Sequence, residues 1–262
     1  MGSEARRWIE ALRTSHDRLL GIVKGLSPAA VEGPSYCSEW SIAQVLSHLG
    51  SGAEIHLANL EAMLAKADMP SREAYQEIWD RWNAKSPADM AADALVSDER
   101  HVSRFEGLSN DQLDGLAMDF MGRTLDATGI VGMRLGEHAA HTWDVEVTVD
   151  PSAIVPASSA DLLLGVLASR AGRLARGDKP KASPVAVAVA TSAPDRRFVL
   201  QIGDDVSLAE GDHASAAGRL TITGEALFRL IYGRLDAAHT PAGTLAEGPV
   251  SLEDLRTLFP GF

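Results

Sequence analysis

Cysteine is nearly absent from this 262-residue sequence. Cys37 stands alone, so no disulfide can form within the chain and no multi-cysteine zinc site can be built. Any bound metal must then be held by histidine and carboxylate. Basic residues are also scarce, with 24 Lys and Arg against 36 Asp and Glu, giving a formal charge of −12. Such a surface repels nucleic acid and anionic membrane, and neither is expected as a partner. A small substrate is not excluded, because a basic pocket can sit inside an acidic protein. No run of about 18 apolar residues occurs, so no membrane span is expected. The opening MGSEARRWIEAL lacks the apolar core of a signal peptide, and the expected location is the cytoplasm. A P-loop, a strand-linked G-x-G-x-x-G, a G-x-S-x-G elbow and an H-E-x-x-H helix are all missing, which weakens nucleotide-dependent and serine-hydrolase readings.

What is present is an ordinary globular balance, 45% hydrophobic and 23% charged, in a chain long enough for two domains. Trp8, Leu12, Leu19, Val23 and Leu26 recur near helical spacing, which marks one buried stripe. Ser27-Pro28 opens a short turn, and the loop GPSYCSE leads to Trp40. Ser41 caps an expected second long helix with Ile42, Val45, Leu46, Leu49, Leu60 and Leu64 on its stripe, ended by Pro70. Ser71 begins a helix bearing Tyr75, Ile78, Trp79 and Trp82. Ser86-Pro87 and the capping box Ser109-x-x-Gln112 mark two further starts. A last helix of this half runs roughly over Asp126 to Val147.

The character changes near Asp150-Pro151. One linking helix is expected from about Ser158 to Arg176, followed by the break GDKPKASP. VAVAVAT, RRFVLQI, VSLAE and GRLTITG then read as short strands, and Gly224-Glu225 opens a last amphipathic helix. The expected fold class is α+β, a helix bundle over 1–152 and a small α+β domain over 153–262.

One long helix carries a polar column, MRLGEHAAHTWDVEV. Glu137 and His141 are four apart and share a face, with Arg134 three before Glu137 and Asp144 three after His141. A carboxylate and an imidazole at this spacing can chelate one ion, and two His with one carboxylate suit catalytic zinc or non-haem Fe(II). The same spacing is common in ion pairs on solvated helix faces, and His138 offers a competing pair with His141. A third ligand belongs on another helix. His56 falls inside the second helix's apolar stripe and His48 at its edge, so periodicity alone does not choose between them.

The stretch C-S-E-W-S-I-A-Q-V-L-S-H-L resembles a motif in which a Cys-x-x-Trp loop precedes a helix with a metal-binding His eight residues after the Trp, here His48. M-R-L-G-E-H-A-A-H-T-W-D-V resembles its partner motif, with the ligands at Glu137 and His141, and T-G-E-A-L-F-R-L-I-Y-G-R-L resembles the closing helix of the same proteins. These are the mycothiol-dependent maleylpyruvate isomerase-like enzymes of the DinB-like superfamily. The resemblance implies a DinB-like four-helix bundle followed by a domain similar to sterol-carrier-protein folds. It implies a divalent metal, zinc, and a small thiol cosubstrate, typically mycothiol in actinobacteria. Isomerisation of a maleylpyruvate-like diacid or S-transfer to an electrophile is the implied chemistry. Arg234 matches the family's G-R position, where a cation would hold a carboxylate of thiol or substrate. A helix-end arginine in solvent is the competing reading of Arg234. Asp144 is a candidate to orient His141 or to pair with Arg134, Cys37 reads as a small structural thiol, and Trp40 and Trp143 as packing beside the site. A metallohydrolase with the same three ligands, or a non-catalytic metal- and ligand-binding protein, stands as the alternative, and monomer and dimer are both open.

Overall fold

The computed structural model describes residues 2–120 and 122–261, with the side chain of Ser3 left aside. The chain divides into two compact units, Met1–Ala153 and Ile154–Phe262. The first holds four long helices, α1 (Gly2–Gly25), α3 (Ile42–Ala65), α5 (Pro87–Glu106) and α7 (Ala127–Glu146). Between them lie α2 (Pro28–Glu32), α4 (Arg72–Asn83), α6 (Asn110–Asp114) and the hairpin β1 (Met118–Phe120) and β2 (Arg123–Leu125). Side chains start the helices where the sequence placed caps. Ser27, Ser41, Ser71, Ser86, Ser109 and Asp126 each accept a backbone N–H three residues on, satisfying a donor the helix itself leaves unpaired.

In the bundle α1 packs on α5 and α7, and α3 packs on the same two helices. Leu12, Leu46, Val102, Phe105, Leu135 and Val145 lie at the centre with no accessible surface, and each such side chain contributes about 1.5–3 kcal/mol of burial. The helix α7 is buried on nearly every side, from Ile130 through Val145, including its polar residues Arg134, His138, His141, Thr142 and Asp144. A helix so enclosed must satisfy those groups internally.

The second unit is a five-stranded sheet with helices, in the sheet order β5-β4-β3-β6-β7. Its elements are α8 (Ala157–Leu167), α9 (Ala171–Leu174), β3 (Val185–Ser192), β4 (Arg196–Ile202), β5 (Val206–Glu210), β6 (Gly218–Thr223), α10 (Gly224–Ile231), β7 (Leu245–Glu247) and α11 (Leu252–Leu258). Only β3 and β6 run parallel. Alternation sets the faces: Val187 and Val189 of β3 pair with Leu200 and Phe198 of β4, all four buried. The chain is thus α+β, helical first and mixed second.

Three expectations need correction, and three short strands were not foreseen. The linking helix is two helices, broken at Ala168–Arg170, where the Ser169 hydroxyl bonds the Val166 carbonyl and Arg170 turns inward to the Tyr232 hydroxyl at 2.5 Å. α3 ends at Lys66 in the left-handed region (φ 52°), four residues ahead of Pro70. α10 is not the last helix, since β7 and the capped α11 follow it. The β1–β2 hairpin and β7, three residues per strand, are too short for a period to register. Among the described residues no helix is long and apolar enough to cross a membrane.

Candidate metal centre

The loop between α2 and α3 is built for close approach to α7. Its ends are tied by the Ile42 N–H to the Gly33 carbonyl (2.9 Å) and the Ser35 N–H to the Trp40 carbonyl (3.0 Å). The Tyr36 N–H reaches the Asp144 carbonyl at 3.1 Å, and the Tyr36 ring meets Trp143 edge-on at 4.7 Å. Trp143 is buried and donates its Nε1–H to the Ala153 carbonyl, so it acts as a fixed wall. Trp40 is 37% exposed and lies beside both site imidazoles, 5.3 Å from His48 and 6.0 Å from His141 between ring centroids. It screens the site as well as packing beside it.

His48 from α3 and Glu137 and His141 from α7 converge. The Glu137 Oε2 is 3.5 Å from His48 Nε2 and 3.8 Å from His141 Nε2, and the two rings are 4.8 Å apart. These separations are too long for hydrogen bonds but near the roughly 3.3–3.5 Å between donors on a tetrahedral zinc. His141 is anchored from behind, donating Nδ1–H to Asp144 Oδ2 at 2.8 Å, which leaves its Nε2 lone pair toward the other two donors. The Cys37 thiol donates to the same Asp144 oxygen at 3.0 Å. His48 and Glu137 side chains are 38% and 44% exposed, against 9% for His141, so the cluster is open on one side. Two imidazoles and a carboxylate are borderline donors that suit zinc, and the residues fit such an ion.

A second group, His16, Asp98 and His138, brings similar donors together but differs in kind. Asp98 Oδ2 accepts from His16 Nδ1 at 2.8 Å and His138 Nε2 at 2.7 Å, while Oδ1 accepts from Arg134 at 2.8 Å. The Ser15 hydroxyl donates to His138 Nδ1 at 2.7 Å. Every separation is a closed hydrogen bond and a guanidinium occupies the carboxylate, so a cation would have to break the network. Burial pushes Asp98 upward, but His138 and Arg134 together hold it well below the usual carboxylate range. His138 therefore belongs to this core network, and Arg134 pairs with Asp98 rather than with Asp144. Asp98 was missed from the sequence. Its signal is a lone acid on the buried face of α5, between Ala94 and Val102. His56 joins neither group and packs against His101 with centroids 5.7 Å apart, where burial pushes it down to about 4.

Arg234 lies in the second unit, just past α10 and after Gly233 at φ 72°. It is 4% exposed and donates Nη1–H to the Tyr232 carbonyl at 2.6 Å. A solvent-facing helix-end arginine does not describe it.

Residues 12–146 match the family model of the mycothiol maleylpyruvate isomerase N-terminal domain, which spans all three converging donors. The chain belongs to this family. The fold of the whole chain is similar to the crystal structures of a mycothiol-dependent maleylpyruvate isomerase (TM-score 0.67, 16% identity) and of a histidine-to-alanine mutant of it (TM-score 0.67, 15% identity). Each comparison covers 94% of both chains, so the likeness takes in the α+β half as well as the bundle. No curated protein matches the chain significantly.

Proposed function

We propose that this chain is a metal-dependent enzyme that uses a small thiol, mycothiol, to isomerise a maleylpyruvate-like diacid or to join that thiol through its sulfur to an electrophile. One observation carries the reading: His48 on α3 and Glu137 and His141 on α7 bring three donor atoms within 4.8 Å of one another, inside a family defined by mycothiol maleylpyruvate isomerase. His48, Glu137 and His141 would hold a divalent ion, zinc being the best match to the donors. When bound, such an ion with one open position supplies thiolate at neutral pH from a thiol whose own pKa is about 8.5. A chain with one cysteine, already bonded to Asp144, thus needs no nucleophile of its own.

The protein's residues supply orientation. Asp144 fixes the His141 tautomer, and Trp40 screens one side from water. Arg234 is assigned, from its place in the Y-G-R-L motif, to hold a carboxylate of thiol or substrate. Isomerisation then requires reversible addition of the thiol across the cis double bond, rotation about the resulting single bond, and elimination. No atom is gained or lost, and the thiol is returned.

The test is elemental analysis of wild-type and His48→Ala protein, with turnover of maleylpyruvate followed with and without mycothiol. About one zinc per chain, absent from the variant, with turnover only when thiol is present, is the expected result. No metal after incubation with zinc overturns the reading. Metal-dependent but thiol-independent hydrolysis would replace it with a hydrolase.

A further inference from the structure

Arg134 sits one turn before Glu137 on α7, with its guanidinium buried at 3% exposure. Both of its hydrogen bonds leave from one nitrogen, Nη2, to the Leu49 carbonyl on α3 at 2.8 Å and to Asp98 Oδ1 on α5 at 2.8 Å. Leu49 directly follows His48. Its carbonyl lies inside a helix, so the guanidinium uses that oxygen's second lone pair. Nη1 faces Gly52, one turn beyond His48, where a Cβ would come within 2.9 Å. Nε is buried with no hydrogen-bond partner among the described residues. A buried charge satisfied this incompletely is a poor source of stability, because its desolvation is only partly offset. Its geometry, however, spans the two helices that carry the three converging donors, one turn before Glu137 on α7 and beside His48 on α3.

We infer that Arg134 is a positioning residue: it clamps α7 to α3 beside His48 and Glu137 and thereby sets the span across which His48 meets Glu137 and His141. The helix α1 does not enter this link directly; it reaches Asp98 through His16 and His138 through Ser15, and so holds the far side of the same carboxylate. Gly52 is part of the device, as the recess that lets the guanidinium tip lie against α3. The inference rests on the metal reading of the three donors.

The experiment measures zinc affinity by chelator competition, and the melting temperature of the metal-free protein, for wild type, Arg134→Met and Gly52→Ala. Gly52→Ala removes no charge and replaces a mid-helix glycine with a better helix former. Its Cβ meets only the movable end of Arg134. Metal-free melting at or above the wild-type value, with zinc affinity weakened about tenfold, is the expected result for Gly52→Ala. Arg134→Met should weaken zinc at least as much, and if it does not fold, Gly52→Ala decides alone. Wild-type affinity within twofold in Gly52→Ala, or a loss matched by an equal fall in metal-free stability, overturns the clamp. Wild-type protein that binds no zinc overturns the metal reading first, and the clamp with it.

Discussion

Asp144 shows how little a single residue reveals until its neighbours are in place. In the sequence it is an acid three residues after a histidine; in the fold it is fully buried and shared by His141 Nδ1–H and the Cys37 thiol. Removing it frees the His141 ring to rotate and to change tautomer, so Asp144→Ala should lower metal affinity by about 10–100-fold. Competition with a chromogenic chelator reads that loss, and an unchanged affinity would show that His141 is oriented by other contacts. Cys37 is predicted to matter far less. Its thiol donates a weak bond to Asp144 and is not one of the three converging donors, so Cys37→Ala should retain one metal per chain and most thiol-dependent turnover. Loss of turnover with metal retained would instead mark Cys37 as a reactive group.

At the scale of elements, α3 is the demanding helix, since it must carry His48 and also pack tightly on α4 and α5. Gly50, two residues after His48, lies where a Cβ would fall 2.2 Å from the Trp82 ring and 2.9 Å from the Ala94 Cα. Trp82 is 3% exposed and its Nε1–H is held by Glu54 at 2.8 Å, so it cannot easily yield. Gly50→Ala should therefore destabilise by about 1–3 kcal/mol through overpacking, despite the helix preference for alanine. Denaturant unfolding measures this, and a stability equal to wild type would mean that α4 moves aside. The helix starts were legible in the sequence because capping is local chemistry: a serine and a backbone N–H three residues apart need nothing from the rest of the chain. The break between α8 and α9 was not legible, because it depends on Arg170 reaching Tyr232, 62 residues away.

The molecule as a whole holds two kinds of histidine, and they give it a pH dependence. In the first unit burial pushes His56 down to about 4 and His101 well below its ordinary value, with Arg134 adding to both. A histidine with a depressed folded-state pKa binds fewer protons folded than unfolded. Its neutral form favours the fold at neutral pH, and that contribution is lost as pH falls from about 6.5, the unfolded value, toward about 4 for His56. Asp98 and Glu99 have depressed carboxyl values, so their contribution is full above about 4.5 and is lost only as pH falls below that, toward about 2 for Glu99. Glu99 is half exposed, and its share is small. Thermal unfolding at pH 7, 6, 5 and 4.5 should show stability falling with pH in the wild type and a shallower fall in His56→Gln. Equal slopes in both would place the titrating group elsewhere.

The sequence by itself determined the class of the fold, the capped helix starts, the four longer strands of the second unit and the donor types open to a metal, because each depends on period, local capping or composition. It also offered Glu137 and His141 as a pair, since four residues make one helical turn. Periodicity alone did not choose between His48 and His56, which sit on the same helix two turns apart; the motif resemblance pointed to His48, and in the fold His48 meets α7 while His56 packs on His101 of α5. Nor did spacing alone separate His138 from His141, which only the motif resemblance told apart. One is tied to Ser15 and Asp98 in the core and the other faces His48 and Glu137, a difference of helix rotation that only the packing of α1, α3 and α5 around α7 fixes. Long-range packing decides which face of α7 is closed by hydrogen bonds and which is left at ligand spacing, and no local pattern in a sequence encodes that distance.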